Sequence, residues 1–159
     1  MRSSLTLPLV ALVAAVTGCG MLGRSSATEI QDVNLESRYN WNATLVTPSE
    51  LAGAMQVRGV ASWARDGSNS KITIAISNAT SGGVHPWHVH QGRCGDNGPI
   101  VGSAGAYKAL SVGSNGQASE NTSLPMALPV SGNYYLNVHA AASNMGTIIS
   151  CGNLAPPVL

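Results

Sequence analysis

The sequence predicts an all-β fold, an antiparallel sandwich or barrel built from eight short strands. Apolar and polar residues alternate strictly over residues 71–77, which places Ile72, Ile74 and Ile76 on one face of a strand. Turn-forming residues separate the candidate strands, and no stretch has a helical period of useful length. Because a chain of 159 residues with 44% hydrophobic side chains suits one core, we expect a single domain.

The predicted strands follow one another between turn signals. They cover residues 41–46, 55–63, 71–77, 85–90, 107–112, 117–124, 134–139 and 147–151. The segment 66–69 (Asp-Gly-Ser-Asn) predicts a hairpin turn between the second and third strands, and Gly59 predicts a β-bulge in the second. We therefore expect the folded domain to occupy residues 39–155, followed by a short tail at 156–159.

An export signal is predicted over residues 1–18, where a charged start precedes an apolar stretch too short to span a membrane. The residues before Cys19 read Val-Thr-Gly, which resembles the lipobox of bacterial lipoproteins. That resemblance implies a lipid on Cys19 and anchorage to a bacterial membrane on its periplasmic or cell-surface side. The alternative is an ordinary cleaved signal with an incidental cysteine. Residues 19–38 are polar without a clear period, so they are interpreted as a flexible tether.

The cysteine count agrees with lipidation. The chain has three cysteines, and acylation of Cys19 leaves Cys94 and Cys151 as a pair. An oxidising compartment outside the cytoplasm favours a disulfide between them.

The charge balance argues against a nucleic-acid partner. Eight basic and seven acidic residues give a net charge of +1, without the clustered basic face that such a partner requires. We therefore expect the function to reside in other residue types.

The histidines are the strongest candidates for functional residues. His88 and His90 are two apart on one predicted strand, so both imidazoles leave the same face about 7 Å apart. His139 ends another strand, with Tyr135 and Asn137 on its face. Three imidazoles from two strands predict a metal site. Neutral imidazoles suit copper or zinc, so ligand chemistry alone leaves a copper protein and a zinc hydrase both open.

The surrounding sequence resembles one family. Residues 83–90 (Gly-Val-His-Pro-Trp-His-Val-His) are similar to the copper strand of the Cu/Zn superoxide dismutases, His-Gly-Phe-His-Val-His. Residues 137–146 are similar to the later copper-histidine segment of that family, and Cys151-Gly152 to its C-terminal Cys-Gly. The resemblance spans most of residues 40–154. It implies an eight-stranded antiparallel Greek-key β-barrel or sandwich.

The resemblance also implies roles for particular residues. His88, His90 and His139 would bind one copper ion, and His85 would brace the ligand strand without binding metal. Cys94 and Cys151 would form the intrasubunit disulfide of the family.

Two departures from the family pattern bear on function. Ile100 stands where the family has the histidine that bridges copper and zinc, and the other zinc ligands have no counterparts, so zinc is not expected. Ile148 stands where the family has an arginine that guides superoxide. Arg93, beside Cys94, is a candidate substitute for steering the anion.

Two functions follow from the sequence. The first is an exported copper-dependent superoxide dismutase that converts superoxide to oxygen and hydrogen peroxide. The alternative is a non-catalytic protein on the same fold that binds, buffers or delivers copper. The expected partners are superoxide or a copper ion, and a membrane through the N-terminal lipid. The oligomeric state is left open.

Overall fold

The computed structural model describes residues 39–156, which form antiparallel sheets and confirm the all-β prediction. The first sheet has the strand order β1-β2-β3-β7, with β1 at Trp41–Leu45, β2 at Arg58–Asp66, β3 at Asn69–Ser77 and β7 at Ala118–Leu124. The second sheet has the order β5-β8-β9, with β5 at Trp87–Gln91, β8 at Tyr134–Ala141 and β9 at Asn144–Leu154. The strands β4 (Val84–His85) and β6 (Leu110–Ser111) form a separate pair, and a 3₁₀ turn covers Ala104–Ala106.

The two larger sheets meet where β1 runs beside β9. Val46 and Cys151 exchange backbone hydrogen bonds of 3.0 and 2.9 Å, and Asn42 and Ala155 exchange bonds of 3.1 and 2.8 Å. These are isolated bridges rather than a continuous ladder. Within residues 39–156 the strands therefore form three sheets and no closed barrel.

The strand count and one bulge differ from the sequence predictions. Residues 85–90 form two strands rather than one, since Pro86 has no N–H with which to continue a ladder. The predicted bulge at Gly59 is wrong, because the β2–β3 register runs through Gly59 without a break. The irregularity lies in β8, where the register with β9 shifts on both sides of His139.

One hydrophobic core joins the sheets. The alternation in β3 buries Ile72, Ile74 and Ile76, as predicted. The second sheet buries Trp87 and Val89 from β5, and Leu136 and Val138 from β8, in the same cluster. Because successive side chains of a strand point to opposite faces, this packing fixes which residues of β5 and β8 face outward.

The candidate metal-binding side chains lie on the outward face of the second sheet. His88 pairs with Asn137, and His90 pairs with Tyr135, across β5 and β8. The loop that begins at Cys94 is tied to β9 on this face by the Cys94–Cys151 disulfide, whose Cα atoms are 6.0 Å apart. The structure thus contains the disulfide that the cysteine count and the family resemblance both predicted.

The N-terminal predictions lie outside the described residues. These are the export signal at 1–18, lipidation of Cys19 and the tether at 19–38, and they stay predictions. Residues 157–159 of the predicted tail also lie outside the described part. Within residues 39–156, no helix is long and apolar enough to cross a membrane. A disulfide is typical of proteins that fold in an oxidising compartment, in agreement with export.

Candidate metal centre

Three histidines meet on the outward face of the second sheet. His88 and His90 come from β5 and His139 comes from β8, and one nitrogen of each lies within 4.8 Å of the others. His88 and His139 are 7% and 6% exposed, and His90 is half-buried. Within residues 39–156, no other group of three potential ligands is this close.

Backbone carbonyls orient two of the rings. His90 donates from Nδ1 to the carbonyl oxygen of Gly98 at 2.8 Å, and His139 donates from Nδ1 to that of Met145 at 2.7 Å. A neutral imidazole that donates from Nδ1 keeps its lone pair on Nε2. The Nε2 atom of His90 is buried and has no hydrogen-bond partner among residues 39–156. Both rings therefore present an unprotonated nitrogen, as metal-binding histidines do.

The third ring completes the set. Nδ1 of His88 lies 3.3 Å from Nε2 of His139. Two nitrogens at that separation, each about 2.0–2.1 Å from one ion, subtend a near-tetrahedral angle of roughly 105–110°. With its proton on Nε2, His88 would offer the lone pair of Nδ1 to an ion shared with Nε2 of His139. The donor set thus fits one small cation.

Burial favours the neutral form of two of the three histidines. It lowers the pKa of His88 to about 4, with a smaller contribution from the neighbouring imidazoles of His139 and His90. Burial also lowers the pKa of His139, against the opposing effect of its hydrogen bond to the Met145 carbonyl. His88 is therefore neutral well below neutral pH, and the lowered pKa of His139 favours its neutral form, which is the form that binds metal.

Comparison with known proteins gives no family for this chain. No protein-family model matches the sequence, and no curated protein is significantly similar to it. What the site can do therefore follows from its own donors. A buried three-imidazole group can hold a metal ion, and both copper and zinc accept such ligands. Cys94 and Cys151 offer no thiolate, since they are joined to each other.

The fourth histidine, His85, lies beside the cluster. Its Nδ1 donates to the backbone carbonyls of His139 at 3.1 Å and Ala140 at 2.9 Å. The register of β8 is irregular at this point. His85 therefore holds the backbone that carries the ligand His139, and it contributes no nitrogen to the group.

A cleft of about 750 Å³ opens onto the metal centre. His90 and His139 are among its lining residues, and His88 is not. The residues that line it include two acidic ones, Glu50 and Asp96, and no lysine or arginine. A small molecule can therefore reach the histidines through a cleft whose only fixed formal charges are negative.

Arg93 does not join this cleft. Its side chain is exposed, and its guanidinium donates to Oδ1 of Asn133 at 3.1 Å, away from the lining residues. Ile148, the backbone partner of His139, lines the cleft instead. The geometry therefore gives no support to the steering role predicted for Arg93.

Ile100 lies close to the ligand strand. Its backbone forms an isolated bridge with that of His90, and its side chain packs against the core. The position that the resemblance aligns with a bridging histidine thus carries an apolar contact.

Tyr135 was not singled out by the sequence analysis, although it supports the site. Its hydroxyl donates to the carbonyl of Asp96 and accepts from the backbone N–H of Gly98 at 3.3 Å. Its ring stacks on His90 with centroids 5.1 Å apart. The alternation that placed Tyr135 on the face of His139 was the available signal, because a residue on a ligand's face is a candidate to position it.

Proposed function

We propose that this protein binds one copper ion through His88, His90 and His139, and that holding or transferring copper is its function. The proposal rests on the convergence of three imidazole nitrogens from two strands within 4.8 Å. Buried, neutral, oriented imidazoles are costly to assemble without a ligand, and a cation in their midst would satisfy their lone pairs.

Copper is the metal favoured by the chemistry. For a given nitrogen site, Cu²⁺ binds more tightly than Zn²⁺. Three imidazoles without a fixed fourth ligand also suit Cu⁺. The similarity of residues 83–90 to the copper strand of the Cu/Zn superoxide dismutases supports the same metal. When bound, copper would supply one-electron redox chemistry at the inner end of the cleft.

The arrangement of strands supports a superoxide-dismutase-like Greek-key sandwich as the scaffold. The chain leaves the first sheet after β3, forms β4, β5 and β6, and returns to pair β7 with β3. Long connections of this kind, between strands that are neighbours in a sheet, are typical of Greek-key folds.

The charges in the cleft favour copper binding over superoxide dismutation. Superoxide is an anion, and rapid capture of an anion is helped by a cation near the metal. The cleft has Glu50 and Asp96 in its lining, Ile148 beside His139, and Arg93 turned toward Asn133. A copper ion, in contrast, is attracted to such a lining.

Dismutation is the second candidate, and one observation favours it. His90 and His139 both line the open cleft, so a molecule the size of superoxide can reach an ion held there. Bound copper would mediate electron transfer between two superoxide anions, which with two protons become oxygen and hydrogen peroxide. Asp96 is the nearest acid in the loop, and its Oδ2 accepts the backbone N–H of Arg93 at 2.8 Å.

Metal content and dismutase activity of the exported protein test the proposal. We expect one copper per chain in the wild type and slow turnover of superoxide. His139→Ala should lose tight copper binding, since two ligands remain. His85→Gln is the matched control, because it also removes one imidazole but leaves all three ligands, and it should retain one copper. Tight binding in His139→Ala would contradict the ligand set, and rapid dismutation by the wild type would favour the second candidate.

A further inference from the structure

His88 differs from the other two candidate ligands in how its ring is oriented. His90 and His139 each donate from Nδ1 to a backbone carbonyl. The ring of His88 meets no backbone carbonyl in residues 39–156, and its one hydrogen-bonding contact there is with Nε2 of His139 at 3.3 Å. An imidazole without such an anchor can turn over a broad range about its last side-chain torsion. The plane of the His88 ring therefore depends on packing.

The ring of Tyr107 packs directly on His88. The two ring centroids are 5.3 Å apart and the ring planes are inclined at 76°, an edge-to-face arrangement of the kind that aromatic pairs prefer. Tyr107 meets Trp87 in the same way, with centroids 5.0 Å apart and planes at 88°. Because Trp87 and His88 leave opposite faces of β5, the Tyr107 ring lies at the edge of this strand and contacts one side chain from each face.

Tyr107 is itself held in place by hydrogen bonds to and from β5. Its hydroxyl donates to the carbonyl oxygen of Val101 at 2.7 Å, and the backbone N–H of Val101 donates to the carbonyl oxygen of Val89 at 2.8 Å. The carbonyl oxygen of the next residue, Lys108, accepts a hydrogen bond from Nε1–H of Trp87 at 2.8 Å. Tyr107 is 7% exposed, and burial raises the pKa of its hydroxyl to about 12, so the hydroxyl remains a donor at neutral pH. The ring therefore has a fixed position relative to the strand.

His90 provides the comparison within the same strand. The ring of Tyr135 stacks on it with centroids 5.1 Å apart, and the carbonyl oxygen of Gly98 also accepts its Nδ1–H. His90 thus has both a packed ring and a carbonyl to orient it, whereas His88 has the packed ring of Tyr107 without the carbonyl. The loss of an aromatic ring should therefore be felt strongly at His88.

We propose that Tyr107 is a positioning residue for the copper site, because its anchored ring fixes the plane of the His88 imidazole. In that plane Nδ1 of His88 faces Nε2 of His139, and the two nitrogens are close enough to share one ion. Tyr107 acts only through His88 and is not a ligand. The inference rests on the proposed copper site, whose ligand set it extends by one supporting residue.

Two substitutions separate the ring from its hydroxyl. Tyr107→Leu removes the ring and keeps an apolar side chain, whereas Tyr107→Phe keeps the ring. Copper affinity is measured by competition with a chelator, and the geometry of bound Cu²⁺ by electron paramagnetic resonance. We expect Tyr107→Leu to bind Cu²⁺ about tenfold more weakly and with altered hyperfine splitting, since groups that orient a ligand typically have effects of that size. Tyr107→Phe should recover most of the affinity and the wild-type spectrum, because its ring still lies against His88.

Tyr134→Leu is the matched control. The Tyr134 ring packs edge-to-face on Trp41 and Trp63, with centroids 5.2 Å apart in each pair, and it supports none of the three histidines. Both leucine variants remove an aromatic ring packed on the same core, so both should have a lowered melting temperature. Only Tyr107→Leu should bind copper more weakly. If a leucine variant does not fold, isoleucine takes the place of leucine, since its branched side chain suits the extended backbone of both positions.

The outcomes distinguish the inference from the proposed function. Wild-type copper affinity and spectrum in folded Tyr107→Leu overturn the role of Tyr107 and leave the copper site standing. An equal loss of affinity in Tyr134→Leu also overturns it, because the effect would then come from a general loosening of the core. Failure of Tyr107→Phe to recover the affinity overturns it as well, because the ring would not be the group that matters. A wild type that binds no copper overturns the proposed function, and the inference with it.

Discussion

Nδ1–H of His90 donates a hydrogen bond to the carbonyl oxygen of Gly98, with 2.8 Å between nitrogen and oxygen, which connects a candidate metal ligand directly to the loop that begins at Cys94. The same loop is fixed to β9 by the disulfide and to β8 by the hydroxyl of Tyr135. The orientation of one imidazole thus depends on how firmly this loop is held.

The disulfide should therefore influence metal affinity as well as stability. We expect the double variant Cys94→Ser, Cys151→Ser to lose about 2–4 kcal/mol in its free energy of unfolding. Its copper affinity should fall roughly tenfold, because residues that orient a ligand typically have effects of that size. Urea unfolding and competition with a chelator measure the two effects. Cys19→Ser is the control, since it alters a cysteine and keeps the pair; equal copper affinity in the double variant would contradict the coupling.

Gly98 should resist the addition of a single methyl group. A Cβ atom on Gly98 would overlap the carbonyl oxygen of Gln91, so Gly98→Ala must displace the loop. We expect a loss of about 1–3 kcal/mol in the free energy of unfolding, as for other overpacked sites, together with weaker copper binding through His90. At Gly53 an added Cβ meets nothing within 4 Å, which makes Gly53→Ala the matched control. If the two variants had comparable unfolding curves, the loop would accommodate the added methyl group without a loss of stability, and the prediction would be wrong.

The stability of the metal-free protein should fall in mild acid. Burial lowers the pKa of His88 from 6.5 to about 4, so the unfolded chain takes up a proton in a range where the folded protein does not. The stabilisation is therefore complete above about pH 6.5 and is lost as the pH falls toward about 4. Its upper bound is about 3 kcal/mol, and His139 contributes in the same direction. Denaturant unfolding across this range measures it; His88→Gln should give a flatter profile, and an equally steep one would assign the loss to other groups.

A cation beside His139 should convert the cleft into one that attracts anions. Ile148 is the backbone partner of His139 and lines the cleft, so Ile148→Arg places a guanidinium next to the metal centre. We expect azide to bind the copper-loaded variant about tenfold more tightly, with a gain that shrinks as salt is added. Val60→Arg, at a position 60% exposed on β2, is the control for added charge alone. A gain independent of salt, or shared by the control, would argue against local attraction.

Much of the fold could be predicted because some strands show a clear alternation of apolar and polar residues. The third predicted strand, 71–77, matches β3 from its third residue to its end, and its three isoleucines enter the core. Residues 107–112 gave a weaker pattern, and only Leu110–Ser111 is a strand. Backbone groups in this segment bind side chains instead of a neighbouring strand: the carbonyl oxygen of Lys108 accepts a hydrogen bond from Nε1–H of Trp87 at 2.8 Å.

β9 shows the opposite error, since it extends beyond the predicted 147–151 to Asn144–Leu154. Glycines at 146 and 152 weaken the alternation of this segment. Gly152 is nonetheless required by contact, because a Cβ there would lie 2.5 Å from the carbonyl oxygen of Thr44 on β1. A close approach of two strands distant in sequence leaves no local pattern.

The candidate site was predictable to the level of its three histidines, which the structure brings together, and no further. The spacing of His88 and His90 fixed their shared face, and His139 stood out as the remaining candidate. The groups that orient these rings are the carbonyls of Gly98 and Met145, which any residue type can provide.

The two faces of β5 have different roles, and this has a practical consequence for protein engineering. Trp87 and Val89 fill the interior while His88 and His90 leave the opposite side of the same five residues. Donor atoms on this side can therefore be exchanged, for example imidazole for thiolate or carboxylate, while Trp87 and Val89 keep their places in the interior. A different ion could thus be accommodated by substituting the histidines on one face of β5, together with His139 on β8.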